Sequence, residues 1–287
     1  MSSVKSLLGQ TAIYGLPTIV GRLLNYFLVP LYTSESVFKN PADYGVISEL
    51  YAWVAFLIIL LPLGMETAFF RFFNEKEDKD AVFRSSFITV IGFNIIFFIV
   101  LLFASQSIAD AMMYSEHPEF IVLLGAIVCV DAIAALPMAK LRSENKALRF
   151  STIHFTAIAV NVGLNLFLML VVFNPEKPME GVLFILLANL LASCVKLVGT
   201  YKDFLNLKWK YNKELALEML RYSFPLIIAG FAGIVNETLD RIMMKPLLIQ
   251  AGNTPEYSLE QVGIYSACYK LAMIVAIFLQ AYRYAAE

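Results

Sequence analysis

Long apolar segments separated by short charged ones are the dominant pattern along the chain. A helix needs about 20 mostly apolar residues to cross the hydrocarbon core of a bilayer. Eight segments of this kind occur, at residues 10–32, 44–66, 83–104, 119–139, 152–173, 181–201, 222–248 and 262–285. The pattern therefore predicts an all-α membrane protein with about eight transmembrane helices.

The composition supports this class and argues against others. Of the 287 residues, 59% are apolar and 16% are charged, against about 45–50% and about 25% in soluble domains. The net charge of -1 provides no basic field that would attract nucleic acid. The sequence has no recognisable catalytic, cofactor or metal-binding motif, so we expect a protein that is not an enzyme and whose partners are found in the membrane.

Positive charges are divided unevenly between the two sets of alternating loops. Thirteen Lys and Arg residues fall around the loops after the second, fourth and sixth segments, and three fall in the other loops: Lys39, Lys177 and Lys245. Loops rich in Lys and Arg stay in the cytoplasm, so we predict a cytoplasmic N-terminus. Within the third basic loop, residues 212–222 have the pattern of an amphipathic helix at the membrane surface.

A short sequence motif near the start of the chain occurs again, in similar form, near its end. The motif Tyr14-Gly15-Leu16-Pro17 opens the first segment, and Tyr222-Ser223-Phe224-Pro225 opens the seventh. Both segments begin on the same side, as in transporters built from parallel repeats. We therefore expect a six-helix bundle over residues 1–201, a cytoplasmic connector over 202–221 and the first two helices of a second bundle over 222–287. On this division the chain is a fragment of a longer protein.

The first segment carries a polar stripe. Thr18, Arg22 and Asn25 are spaced so that they share one helix face, and a charge inside the bilayer is costly unless it faces protein or water. Arg22 is either a cation that lines a cavity for an anionic substrate or the partner of a buried carboxylate such as Asp131. The sequence leaves both interpretations open.

Two further segments carry polar residues at helical spacing. In the fifth, His154, Asn161 and Asn165 share a face, and His154 is either a core residue or part of a proton relay. In the seventh, Asp240 and Arg241 point about 100° apart because they are adjacent on a helix, so we do not expect them to pair face to face. They belong either to a local structural network or to a substrate or ion site.

Lysines complete the set of deep charges. Lys270 lies within the eighth segment, whereas Lys196 is near a helix end and is expected to extend towards the membrane surface. The predicted cavity residues are Arg22, Thr18, Asn25, Asp131, Asn161, Asn165, Asp240, Arg241 and Lys270.

Six short motifs resemble those of a known family. They are Val29-Pro30-Leu31-Tyr32-Thr33, Ala42-Asp43-Tyr44-Gly45-Val46, Gly64-Met65-Glu66-Thr67-Ala68-Phe69-Phe70-Arg71-Phe72, Tyr222-Ser223-Phe224-Pro225, Asp240-Arg241 and Val262-Gly263-Ile264-Tyr265-Ser266-Ala267. In these motifs the chain resembles the polysaccharide and O-antigen flippases of the multidrug/oligosaccharidyl-lipid/polysaccharide exporter superfamily.

The resemblance implies both a fold and a transport function. The fold is two six-helix bundles around a cavity that opens alternately to each side of the bacterial cytoplasmic (inner) membrane. The implied substrate is an undecaprenyl-diphosphate-linked oligosaccharide, carried outward for surface polysaccharide such as the O-antigen of lipopolysaccharide. Arg22 matches the kind of first-helix cation expected to meet the diphosphate. The choice of coupling ion, H⁺ or Na⁺, stays open.

Two other functions stay open at this stage. A multidrug or organic-cation antiporter of the same superfamily would need unpaired carboxylates in its cavity, whereas Arg22 favours an anion. A membrane-embedded glycan polymerase or ligase would need a large outer loop with catalytic groups, and every predicted outer loop is short.

Overall fold

Helices are the regular secondary structure of the part of the chain that the structure describes. The computed structural model describes residues 17, 19–21, 23–24, 26–34, 37–205 and 210–286, with the side chains of the last helix only to residue 272. Its helices are α1 (Ile19–Tyr32), α2 (Pro41–Leu60), α3 (Met65–Glu75), α4 (Lys79–Ala111), α5 (Pro118–Ser143), α6 (Ala147–Phe167), α7 (Pro178–Gly199), α8 (Tyr201–Leu205), α9 (Lys213–Gln250) and α10 (Pro255–Ala286). A π-helical turn, Leu168–Val172, continues α6.

Among the described residues, six stretches are long and apolar enough to cross a membrane. They are α2 together with α3, α4, α5, α6 with its π-helical turn, α7 and α9. The predicted all-α membrane class is confirmed. Several helices extend past the predicted limits, because the apolar pattern marks only the part of a helix that suits the bilayer. For example, α4 begins at Lys79, where the Asp78 side chain caps it by accepting a hydrogen bond from the Ala81 N–H at 2.8 Å.

The second predicted segment consists of two helices. α2 ends at Leu60 and α3 begins at Met65, with Pro62 in the turn between them. Proline has no N–H to donate and disfavours a helical residue before it. The turn leaves the Leu61 carbonyl without its helical partner, and the buried Asn94 of α4 donates to it at 3.0 Å. α3 runs from Met65 to Glu75. Glu66 therefore lies in the first turn of a new helix and not at the end of a spanning one.

The segment predicted as a separate surface helix is the beginning of α9. Asn212 caps this helix by accepting a hydrogen bond from the Leu215 N–H at 3.1 Å. The predicted amphipathic pattern is present, since Leu215 and Met219 are buried while Glu214 and Glu218 are exposed. The helix nevertheless continues without interruption to Gln250, over 38 residues. The first turns of α9 carry several charged residues, whereas the residues after Tyr222 are mostly apolar. This change in composition made one continuous helix look like two separate elements in the sequence.

The alternating helices place the loops at two ends of the bundle. We call the end with residues 76–78, 144–146 and 210–212 the basic end; there Lys76 of the α3–α4 loop contacts Glu218 of α9 at 3.1 Å. The opposite end has residues 37–40, 112–117, 173–177 and 251–254, and there the rings of Phe38 and Phe173 are in contact. α9 and α10 pack against α2, and α9 also packs against α3.

Two glycines allow α2 and α10 to approach closely near the opposite end. A Cβ on Gly45 would lie 2.0 Å from the Leu259 carbonyl oxygen, and one on Gly263 would lie 2.2 Å from the Pro41 carbonyl oxygen. Backbone atoms cannot move aside as a flexible side chain can. Glycine at both positions therefore sets the distance between these helices, as small residues do at membrane helix contacts.

We predict that Gly45→Ala lowers the thermal stability of the purified protein in detergent. The added methyl group has no space, and overpacking of this kind costs about 1–3 kcal/mol. Gly92→Ala in α4 is the matched control, because a Cβ there meets nothing within 4 Å. Thermal unfolding followed by circular dichroism should show a lower midpoint for Gly45→Ala and an unchanged or higher one for Gly92→Ala. Equal midpoints in the two variants would contradict the packing described.

Candidate functional site

A polar cavity lies among α1, α5, α6 and α7. Its volume is about 330 Å³. Pro17, Gly21 and several small or apolar residues form part of the wall. The polar lining consists of Asp131, His154, Asn161, Asn189, Ser193 and Lys196. This concentration of amide, hydroxyl and charged groups inside apolar helices makes the cavity the candidate site.

An ion pair joins α5 and α7 across the cavity. Lys196 Nζ lies 2.8 Å from Asp131 Oδ1, and the two side chains are 26% and 35% exposed. The prediction that Lys196 extends to the membrane surface was therefore wrong. The nearby carboxylate offers the ammonium group a charged hydrogen bond that apolar surroundings do not. Asp131 lies on the cavity wall.

The same charged residues also line a second cavity towards the basic end. This cavity has a volume of about 270 Å³ and shares Asp131, His154 and Lys196 with the first. Arg142 at the end of α5 donates to Glu66 in the first turn of α3. The Arg142 guanidinium also lies 4.8 Å from the Phe70 ring centroid, where a cation–π contact is favourable. Each carboxylate in the described lining is thus paired with a cation.

Asparagines connect the first cavity with the packed interior. Asn161 donates to Asn189 Oδ1 at 2.8 Å, and Asn189 donates to the Tyr51 hydroxyl. Asn165 is 1% exposed, accepts a hydrogen bond from the Tyr32 hydroxyl at 2.7 Å and donates to the Asn161 carbonyl at 2.8 Å. Asn161 lines the cavity. Asn165 does not line it, because its amide is used to join α1 to α6.

His154 lies on the wall of both cavities. Its ring packs edge to face on Phe150, with 5.2 Å between the ring centroids. Its Nδ1 is buried and has no hydrogen-bond partner among the described residues. Lys196 and Asp131 line the same two cavities. The structure thus places His154 in a charged site.

Three predicted site residues lie elsewhere. Asp240 accepts a hydrogen bond from the Tyr265 hydroxyl, and the Arg241 guanidinium lies 4.4 Å from the Tyr269 ring centroid. Lys270 lies 5.3 Å from the Tyr44 ring centroid. These residues form contacts between α9, α10 and α2 and do not line the cavity. Arg241 Nε does lie 3.8 Å from Asp240 Oδ1, which corrects the expectation that these adjacent side chains do not pair.

The remaining predicted site residues belong to the polar stripe of the first helix. Thr18, Arg22 and Asn25 lie outside the described residues. Their neighbours Pro17 and Gly21 line the first cavity. Their roles remain the predictions made from the sequence.

The sequence held a signal for some of the residues that were missed. Asn189, Ser193 and Lys196 are spaced by four and three residues, which places them on one face of α7. A charged residue also interrupts the apolar run of α2, at Glu49. Its partner, Lys245, was assigned to a loop but is buried within α9, where its side chain contacts Glu49 at 2.9 Å. Within the described part of the chain, no group of His, Cys, Asp and Glu side chains is arranged to hold a metal ion.

We predict that neutralising one member of the Asp131–Lys196 pair destabilises the protein more than neutralising both. Asp131→Asn or Lys196→Met leaves a charge without its partner inside the helix bundle. The penalty should be about 1–3 kcal/mol, below that of a fully buried pair because both groups are partly exposed.

Thermal unfolding of the two single variants and the double variant tests this expectation. The double variant should recover part of the stability that each single variant loses. Lys146→Met is the control, because the Lys146–Glu144 contact of 2.6 Å is at the surface of the basic end, where Lys146 is 49% exposed. Additive losses in the double variant would show that the two charges do not interact.

Comparison with known proteins places the chain in a family. A family model described as polysaccharide biosynthesis protein matches residues 7–286. No curated protein and no solved structure matches the chain. The family match covers all four helices that line the cavity, and it confirms the resemblance to polysaccharide flippases seen in the motifs. The chain therefore belongs to the polysaccharide biosynthesis protein family and is one of its membrane-spanning members.

Proposed function

We propose that this membrane protein of polysaccharide biosynthesis is a flippase that moves an undecaprenyl-diphosphate-linked oligosaccharide across the bacterial inner membrane. The glycan would serve a surface polysaccharide such as O-antigen. The observation that carries the proposal is the polar cavity around Asp131 and Lys196, inside helices that are otherwise apolar. The family match supports the same class of substrate. Movement would follow alternating access, with no covalent step.

The cavity suits a glycan that is attached to a lipid. Amide and hydroxyl groups of Asn161, Asn189 and Ser193 line it and offer hydrogen bonds to sugar hydroxyls. The protein needs no pocket for the polyprenyl tail, because the tail can stay in the bilayer while the glycan crosses. The division into a bundle at 1–201, a connector at 202–221 and a second bundle from 222 belongs to this proposal, as does a cytoplasmic N-terminus.

A diphosphate requires a cation beyond those already paired. In the described lining, Lys196 is paired with Asp131 and Arg142 with Glu66. We assign the additional cation to Arg22, together with Thr18 and Asn25 of the polar stripe that the sequence spacing predicts. A guanidinium can hold phosphate oxygens through two parallel hydrogen bonds, which an ammonium cannot.

The pairing of the carboxylates disfavours the organic-cation antiporter. A cation substrate needs free negative charge, and both carboxylates of the described cavity lining, Asp131 and Glu66, contact a cation of the protein. Transport also accounts for the short loops more simply than a glycan polymerase or ligase does.

The role of Arg22 is tested by replacing it in the protein and measuring surface glycan. If Arg22 grips a diphosphate, Arg22→Ala should lower glycan export strongly and Arg22→Lys should restore only part of it. Loss of one charged hydrogen bond costs about 1.5–3 kcal/mol, or roughly ten- to a hundredfold in affinity. Protein abundance in the membrane is measured for each variant so that loss of export is separated from loss of protein.

A double variant separates substrate binding from internal charge balance. If Arg22 only neutralised Asp131, then Asp131→Asn should restore export to the Arg22→Ala protein. The proposed role predicts no such rescue. It is contradicted by rescue, or by normal glycan levels in an Arg22→Ala protein of normal abundance. Gain or loss of drug resistance in place of a glycan change would favour the antiporter.

A further inference from the structure

A buried charged network lies at the opposite end of the bundle, away from the residues that line the cavity. The side chains of Lys245 and Glu49 are 4% and 7% exposed, and their charged atoms are 2.9 Å apart. Lys245 Nζ also donates to the Met112 carbonyl at 2.8 Å, and its charge lies 4.4 Å from the centroid of the Tyr114 ring. The Tyr114 hydroxyl donates to the same Glu49 oxygen that accepts from Lys245.

The network joins three separate parts of the chain. Glu49 lies in α2, Met112 and Tyr114 lie in the turn between α4 and α5, and Lys245 lies near the end of α9. On the proposed division, the first two parts belong to the first bundle and α9 to the second. The network is therefore a contact between the two bundles.

The same end holds a close contact between α2 and α10. Gly45 and Gly263 bring the two backbones together there, and Asn40 donates to Glu256 at 3.1 Å. The charged cavity, by contrast, extends towards the basic end through Glu66 and Arg142. The structure is thus closed across α2, α9 and α10 at one end and has its charged cavities nearer the other.

We propose that Glu49, Lys245 and Tyr114 form a latch that holds the opposite end shut and that opens during transport. The proposal rests on the proposed function, because it takes alternating access as the movement in which the latch takes part. The residues named are new to that mechanism, since none of them lines the charged cavities.

A buried ion pair is better suited to a contact that opens and closes than to a permanent one. Replacing such a pair by apolar residues often stabilises a protein, so its presence is better explained by specificity than by stability. When the helices separate, water enters and solvates both charges. When the helices close, each buried charge is stabilised only if all of its hydrogen-bond partners are again in contact with it. The contact therefore favours two distinct states, fully closed and fully open, over intermediate ones.

α9 contains a proline, Pro225, between its packed first turns at the basic end and Lys245 at the opposite end. At the basic end, Leu215 and Met219 are buried in a cluster with residues of α3 and α4. Pro225 follows one to two turns later and removes a backbone hydrogen bond from the helix. Release of Lys245 at the far end can therefore move the second part of α9 while its first turns stay packed.

The test measures how often the opposite end opens. All three natural cysteines are replaced, and Ser258→Cys is introduced as a reporter, because Ser258 lies in α10 near this end and is 0% exposed. The rate at which a charged, water-soluble thiol reagent modifies this cysteine in the purified protein reports the open fraction, even when that fraction is small. No substrate is needed, so the result is independent of whether the protein moves a glycan.

Glu49→Gln should raise the modification rate about tenfold or more, because a charged hydrogen bond of the closed state is lost. Tyr114→Phe removes one donor to Glu49 and should raise the rate by a smaller factor. Lys177→Met is the control at the same end: its contact with Glu180 is 2.8 Å long, but the Lys177 side chain is 64% exposed. That variant should leave the rate unchanged.

A second reporter separates opening of this end from general loosening. A version that keeps only the natural Cys129, which is 6% exposed inside α5, should react at the same rate with and without Glu49→Gln. The latch is overturned if Glu49→Gln leaves the rate of the Ser258→Cys reporter unchanged, or if the Cys129 rate rises with it. If Glu49→Gln does not fold, Tyr114→Phe decides the question by the same two rates. Failure of the proposed function would instead appear in the glycan measurements.

Discussion

The cost of an unpaired polar group inside a bilayer governs this structure. Lipid offers no hydrogen bonds, so a polar side chain or a free backbone group in a membrane helix must find its partner within the protein. Asn94 meets the carbonyl released at the Pro62 turn, and Asn165 meets Tyr32. These pairings, together with the packing of apolar side chains, fix which helices are neighbours.

The same constraint explains the charged sites. Asp131 and Lys196 line a cavity and are partly exposed, whereas Glu49 and Lys245 are almost completely buried. The first pair therefore lies where a polar substrate can compete for hydrogen bonds. The second pair lines neither charged cavity and holds helices together. We propose that the difference in burial reflects a difference in role, substrate contact for the first pair and closure of the bundle for the second.

The helices could be predicted from the sequence because their apolar runs are long. Asp131 and Asn161 could be singled out as candidate site residues because they interrupt such runs. The partners could not be predicted, since helix spacing shows which residues share a face but not which helix lies opposite. Lys196 was therefore assigned to the membrane surface and Lys245 to a loop, although each contacts a carboxylate more than sixty residues away in the chain.

Movement of a lipid-linked glycan in a purified system tests the account most directly. The full-length protein, with any residues beyond 1–287, is reconstituted in vesicles with an undecaprenyl-diphosphate oligosaccharide, and the glycan exposed on one face is measured with an enzyme that cannot cross the membrane. The account predicts that glycan hidden in the inner leaflet becomes accessible with time in vesicles that contain the protein, and not in vesicles without it. A folded protein that leaves the glycan in its original leaflet, under gradients of H⁺ and of Na⁺ alike, would contradict it.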